Sequence, residues 1–133
     1  MGEELTEDEL RFLQDTVDLA REGSTAELAA RVDAGVPVNL TSAAGDTLLL
    51  LAAYHQHAGT VRMLLERGAD HSRVNDKGQT ALGAAVFRQA GDVVRDLLAA
   101  GADPSLGRQS GHAVAQVFDL PEMAALLRGH PAS

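Results

Sequence analysis

Gly45-Asp46-Thr47-Leu48-Leu49-Leu50-Leu51-Ala52-Ala53, followed by Val61-Arg62-Met63-Leu64-Leu65 and Gly68-Ala69-Asp70, decides the reading of this chain. It is written again 33 residues later as Gly78-Gln79-Thr80-Ala81-Leu82-Gly83-Ala84-Ala85-Val86, then Val94-Arg95-Asp96-Leu97-Leu98, then Gly101-Ala102-Asp103. Gly35 extends one glycine series backwards, Gly111 extends the other forwards, and Leu28 stands one step before Val61. A fixed period of this length means stacked copies of one supersecondary unit, each burying a face against its neighbours.

The motif resembles the ankyrin repeat: a G-x-T-x-L turn and first helix, a second helix ending V-x-x-L-L, and a G-A-D turn, over about residues 10–129. The Pro and His of the family's T-P-L-H are absent from both copies, where Thr47-Leu48-Leu49-Leu50 and Thr80-Ala81-Leu82-Gly83 stand instead. The family histidine's hydrogen bonds are therefore not carried over. The fold expected is all-α, an ankyrin-repeat solenoid of about four stacked helix–turn–helix units with extended loop tips. Its divisions are an N-terminal cap repeat at 5–38, repeats at 39–71 and 72–104, and a shortened cap repeat at 105–129. Leu126-Leu127 follows Leu97-Leu98 by 29 residues, which reads as four residues short of the period.

Local signals agree with that frame. Thr47 and Thr80 stand where a first helix begins and can accept its free N–H groups. In the first unit, helices are expected near 7–21 and 25–33, the second opened by Ser24-Thr25, and Pro121 suits the first turn of the last helix. End units have one neighbour only, so their outer faces should be polar. Glu9, Arg11, Asp15, Asp18, Glu27 and Arg31 supply that polarity.

With 133 residues the chain is expected to form one domain. Hydrophobic residues make up 45% but aromatics only 3%, so Leu, Ala and Val must form the core. The net charge of −8 is concentrated near the N-terminus, where eight acids and two arginines lie in residues 1–22. That argues against nucleic acid, whose phosphates call for a basic stripe. The absence of cysteine removes disulfides and a thiol nucleophile. Neither a secretory signal nor a membrane-length apolar run is present, so a cytoplasmic protein without membrane contact is expected. The acidic stretch from Glu3 to Glu9 reads as a helix start favoured by the helix dipole.

The resemblance implies a cupped shape, with loop tips as fingers and first helices as a concave palm. By register the fingers present Ala43, Ala44 and Asp46, then Asp76, Lys77 and Gln79, then Gln109, Ser110 and His112. The palm presents Arg21, Glu22, Tyr54, His55, Phe87 and Arg88. Tyr54 and Phe87 are one period apart, so an aromatic strip with basic flanks is expected there, suited to an apolar segment of some acidic character. Packing between helices is the alternative role for the pair. Asn75-Asp76-Lys77-Gly78 reads first as a turn.

No catalytic constellation emerges. No P-loop or nucleophile elbow is present. Asp70 and Asp103 repeat as parts of a turn. The histidines, His55, His57, His71, His112 and His130, lack metal-ligand spacing, and His55 and His57 at i, i+2 do not share a helix face. The expected function is a non-catalytic protein–protein interaction module, an adaptor or regulator with one protein partner, without cofactor or metal. A monomer is expected, with a homodimer through the exposed strip as the alternative. The other functional readings are a stress-protective or structural stack, and a metal or ligand carrier resting on His55 and His57.

Overall fold

The computed structural model describes residues 5–129; His130 and the first residues of the acidic stretch, Glu3 and Glu4, lie outside them. Eight helices occur among the described residues, and no sheet. They are α1 (Glu7–Glu22), α2 (Thr25–Asp33), α3 (Leu48–Tyr54), α4 (Ala58–Glu66), α5 (Ala81–Phe87), α6 (Gly91–Ala99), α7 (Gly111–Val117) and α8 (Pro121–Gly129). They form four antiparallel pairs in two layers. The first helices α1, α3, α5 and α7 pack in one row, and α2, α4, α6 and α8 in the other. This is the all-α solenoid that the period predicts.

Each first helix is started by a hydroxyl. Thr47, Thr80 and Ser110 accept from the N–H of Leu50, Gly83 and Ala113 at 3.0, 3.0 and 3.1 Å. All three caps are buried, so the bonds form away from competing water. Helix α1 instead carries a capping box, in which Thr6 and Glu9 satisfy one another's backbone N–H groups. The inner faces of the second helices carry Leu28, Val61, Leu64, Val94, Leu97 and Leu127, all buried. Each such aliphatic side chain contributes about 1.5–3 kcal/mol on burial. Ala52, Ala53 and Ala85 are fully enclosed, and their small size lets the first-helix row pack closely.

The register of the last unit differs from the sequence reading. Ser110, not a residue 33 beyond Thr80, caps α7, and Leu127 takes the buried place of Leu97. The step is therefore 30 residues, three short of the period, and the missing residues belong to the loop before α7. Gly111 consequently leaves its glycine series. Gly45 and Gly78 hold φ of 83° and 79° at their loop tips, whereas Gly111 is the first residue of a helix. Only the first two occupy a backbone region that a side chain would strain.

The N-terminal outer face also departs from the all-polar expectation. Leu10 and Phe12 are about half exposed. The Arg31 guanidinium covers the Phe12 ring at 4.4 Å and donates to the Phe12 carbonyl and to Thr16 Oγ1. An arginine stem laid over an apolar ring supplies the polarity that the position lacks.

Neighbouring units are tied by polar bonds as well as by the core. Arg67 forks onto Asp33 at 2.8 and 3.0 Å, which holds the Asp33 carboxyl below its ordinary value and raises Arg67. Arg62 pairs with Asp96 at 3.1 Å, and the Thr25 and Thr60 hydroxyls meet at 2.6 Å.

Candidate functional site

The end of each first helix builds one column of the concave face. The short turns that follow carry a left-handed residue, Gly23, Gln56, Gln89 and Asp119, with φ between 52° and 75°. This repeated kink places the two preceding side chains of each unit alongside those of the next. Arg21, Tyr54, Phe87 and Val117 thus form one file, and Glu22, His55, Arg88 and Phe118 the neighbouring one.

Within these files the rings meet. Tyr54 stacks on Phe87 at 6.3 Å between centroids with planes 8° apart, and Phe87 meets Phe118 edge-on at 5.1 Å. Both arrangements suit the aromatic quadrupole. Tyr54 also packs against the hydrophobic core, whereas Phe87 is 42% exposed and Phe118 53%. Core packing therefore accounts for part of Tyr54 but not for Phe87 or Phe118. The sequence reading missed Phe118, because a strict period aligns Phe87 with Leu120.

The basic flank is in place. Arg88 Nη1 donates to the Tyr54 carbonyl at 3.0 Å, and its guanidinium lies 4.9 Å from the Tyr54 ring centre. His57 Nε2 donates to the Arg21 carbonyl at 2.7 Å. The two carbonyls are one period apart, so different donors serve the same position in successive units. With Nε2 taken, His57 is a poor partner for a metal shared with His55. His55 meets Tyr54 edge-on at 5.1 Å and His57 at 6.3 Å. Its imidazole titrates below the usual value, first because burial of part of the ring disfavours the cation, then through the charges of His57, Arg88 and Arg21.

A cleft of about 220 Å³ opens beside the strip. Tyr54, Phe87 and Phe118 wall one side; Gln79 and Gln109 of the loops wall the other. Gly83 and Ala84 lie at its floor. Its volume is below the roughly 300–1,000 Å³ usual for small-molecule sites, so it suits one apolar side chain of a larger partner.

The finger residues are engaged among themselves. Asn75, read as a turn former, is the hub: its Nδ2 donates to Asp46 Oδ1 and Gln79 Oε1, each at 2.7 Å. Its Oδ1 accepts from the N–H of Lys77 and Gln79. Gln109 bonds back to Lys77 and Gly78 through side chain and backbone. Asp46, Gln79 and Gln109 therefore hold the fingers to one another. Asp76 and Lys77 are exposed at a tip. His112 and Ser110 are not finger residues: Ser110 is a buried cap and His112 an exposed residue in the first turn of α7, because the shortened loop shifts the register.

The chain matches the ankyrin repeats family over residues 16–107, as three copies, and belongs to that family. Such repeats are in general protein–protein interaction modules. A Pseudomonas aeruginosa protein named as an ankyrin repeat protein is 43% identical to it over 60 residues, 45% of this chain and 35% of that relative. The chain thus spans about a third of the length of this curated relative. Among the described residues no helix is long and apolar enough to cross a membrane.

Proposed function

We propose that this protein is a non-catalytic binding module that holds one protein partner on its concave face and acts as an adaptor or regulator. The observation that carries this reading is the exposure of Phe87 and Phe118 in a continuous aromatic strip with Tyr54, beside a cleft that nothing in the fold fills. Large apolar rings left in water are costly, and partly exposed aromatics flanked by arginine are the usual anchors of interfaces. The residues assigned to contact are Arg21, Tyr54, His55, Phe87, Arg88 and Phe118 on the palm. Asp76 and Lys77 at the fingertip, and His112 at the start of α7, add peripheral contacts. Asp46, Gln79 and Gln109 act by holding the fingers in place. The protein works as a monomer in the cytoplasm under this reading.

The test is a pull-down from native lysate with the wild type and with Phe87→Ser/Phe118→Ser, a pair chosen because neither ring belongs to the buried core. One partner captured by the wild type and lost in a variant of unchanged circular dichroism is the expected result. Equal capture by both baits would move the site off the concave face.

A further inference from the structure

The concave-face reading says where a partner sits but not what chemistry it brings, and charge answers part of that. The cleft walls and floor are neutral: no carboxylate or cation lines them. The border along the helix ends is cationic. Arg88 lies over Tyr54, and Arg21, His57 and Arg88 all act on His55 as positive neighbours. Of the nearby acids, Asp18 is occupied by Arg21 at 2.7 Å, while Glu22 and Asp119 stand at the two ends of the strip by register. This patch is therefore opposite in sign to the chain's net charge of −8, most of which lies in residues 1–22.

Resting on the concave-face reading, we infer that the palm takes an acidic, apolar segment of a partner protein: one bulky apolar side chain in the cleft between Phe87 and Gln109, and a carboxylate a few residues away against His55 and Arg88. The apolar side chain supplies burial in a space too small for a cofactor-sized ligand. The carboxylate supplies orientation, since a guanidinium pairs best with a planar anion. It also restores the charge that its surroundings withdraw from His55, because an adjacent anion favours the imidazolium. A basic segment would meet Arg21, Arg88 and His57 as like charges, so the same patch selects against it.

The experiment is a display selection of random peptides about 12 residues long on the full chain, followed by affinity measurement on the best binders. Enriched peptides are expected to carry a Leu, Phe, Met or Trp with Asp or Glu within four residues. Their affinity should fall about tenfold or more in Phe87→Ser, where an anchor's contact is lost. It should fall several-fold in His55→Glu, a reversal at an exposed side chain, and weaken as salt rises from about 50 to 300 mM. Peptides that depend on Phe87 but carry neutral or basic neighbours, or that ignore His55→Glu, would overturn the acidic partner and leave the concave-face reading standing. Peptides indifferent to Phe87, or no enrichment at all, would overturn both. Leu5, Asp8, Glu9 and Phe12 of this same chain offer similar chemistry. A concentration-dependent dimer in light scattering, lost in Phe87→Ser, would replace the foreign partner by a second copy.

Discussion

Gly83→Ala should destabilise this protein although it places a better helix former inside a helix. In an ordinary helix interior the change gains up to about 1 kcal/mol. Here a Cβ on Gly83 would lie 2.1 Å from the carbonyl oxygen of Gln109, and 3.3 Å from both its carbonyl carbon and Thr80 Oγ1. A relaxed carbon–oxygen contact is about 3.3 Å or more, so the loop must retreat by about 1 Å. That movement strains two bonds holding it, Gln109 N–H to Gly78 O at 2.9 Å and Gln109 Nε2 to Lys77 O at 3.0 Å. Overpacking costs about 1–3 kcal/mol and each weakened hydrogen bond up to about 1. The net loss should be about 2 kcal/mol, or several degrees of melting temperature for a chain of this size. Gly59→Ala is the matched control, since nothing lies within 4 Å of a Cβ there and its φ is helical. It should gain up to about 1 kcal/mol. Urea unfolding of the two variants should move the midpoint in opposite directions. If Gly83→Ala were neutral or stabilising like Gly59→Ala, the close approach of the Gln109 loop to α5 would be wrong.

Asn75→Ala should cost about 2–4 kcal/mol in chemical unfolding, because it deletes a buried hub of four hydrogen bonds and orphans their partners; a loss below about 0.5 kcal/mol would make Asn75 a mere turn former. Phe87→Ser should change the melting temperature little, whereas Tyr54→Ser should lower it by several degrees, since only Tyr54 packs on the core; equal losses would mean that both rings are structural. Asp33 has a lowered carboxyl in the folded state, through its hydrogen bonds from Arg67 and the guanidinium charge. Its stabilisation is therefore present above the unfolded carboxylate value and lost as pH falls through the folded one. Asp33→Asn should be less stable than wild type near neutral pH, and the difference should disappear in an acid series below about pH 3; a difference independent of pH would show that the charge is not its source.

The repeat was legible because its signals are local and redundant. Thr47 and Thr80 mark helix starts, Val61 and Val94 mark the buried face, and each confirms the other at the same offset. Helices α1 and α2 follow the expected spans to within one residue. The last unit misled because a glycine coincidence competed with a packing constraint. Gly111 kept the step of 33, but burial follows Leu127 and the cap Ser110, which keep a step of 30. Solenoid units must align their buried faces, whereas loops can lose residues at little cost, so register in such a chain is better read from apolar positions than from glycines. The hydrogen bonds of Asn75 were not legible either, because they join residues up to 29 positions apart.

The same deletion shapes the site. Counted from the helix caps, Val117 takes the place of Phe87 and Phe118 that of Arg88. At the Arg88 position the preceding units carry an acid, a histidine and an arginine, so the last unit alone puts a ring there. That ring turns back onto Phe87 at 5.1 Å and closes the end of the cleft. Meanwhile the shortened loop draws Gln109 toward Gly78, where it bridges to Gln79, and presses its carbonyl over Gly83. Gly83 occupies the family's histidine position, and a side chain of that size would fill this space. Three departures from the repeat pattern, the lost histidine, the short loop and the terminal phenylalanine, thus meet at one point. Each weakens the resemblance along the sequence, and together they make the hollow in which a partner's side chain can sit.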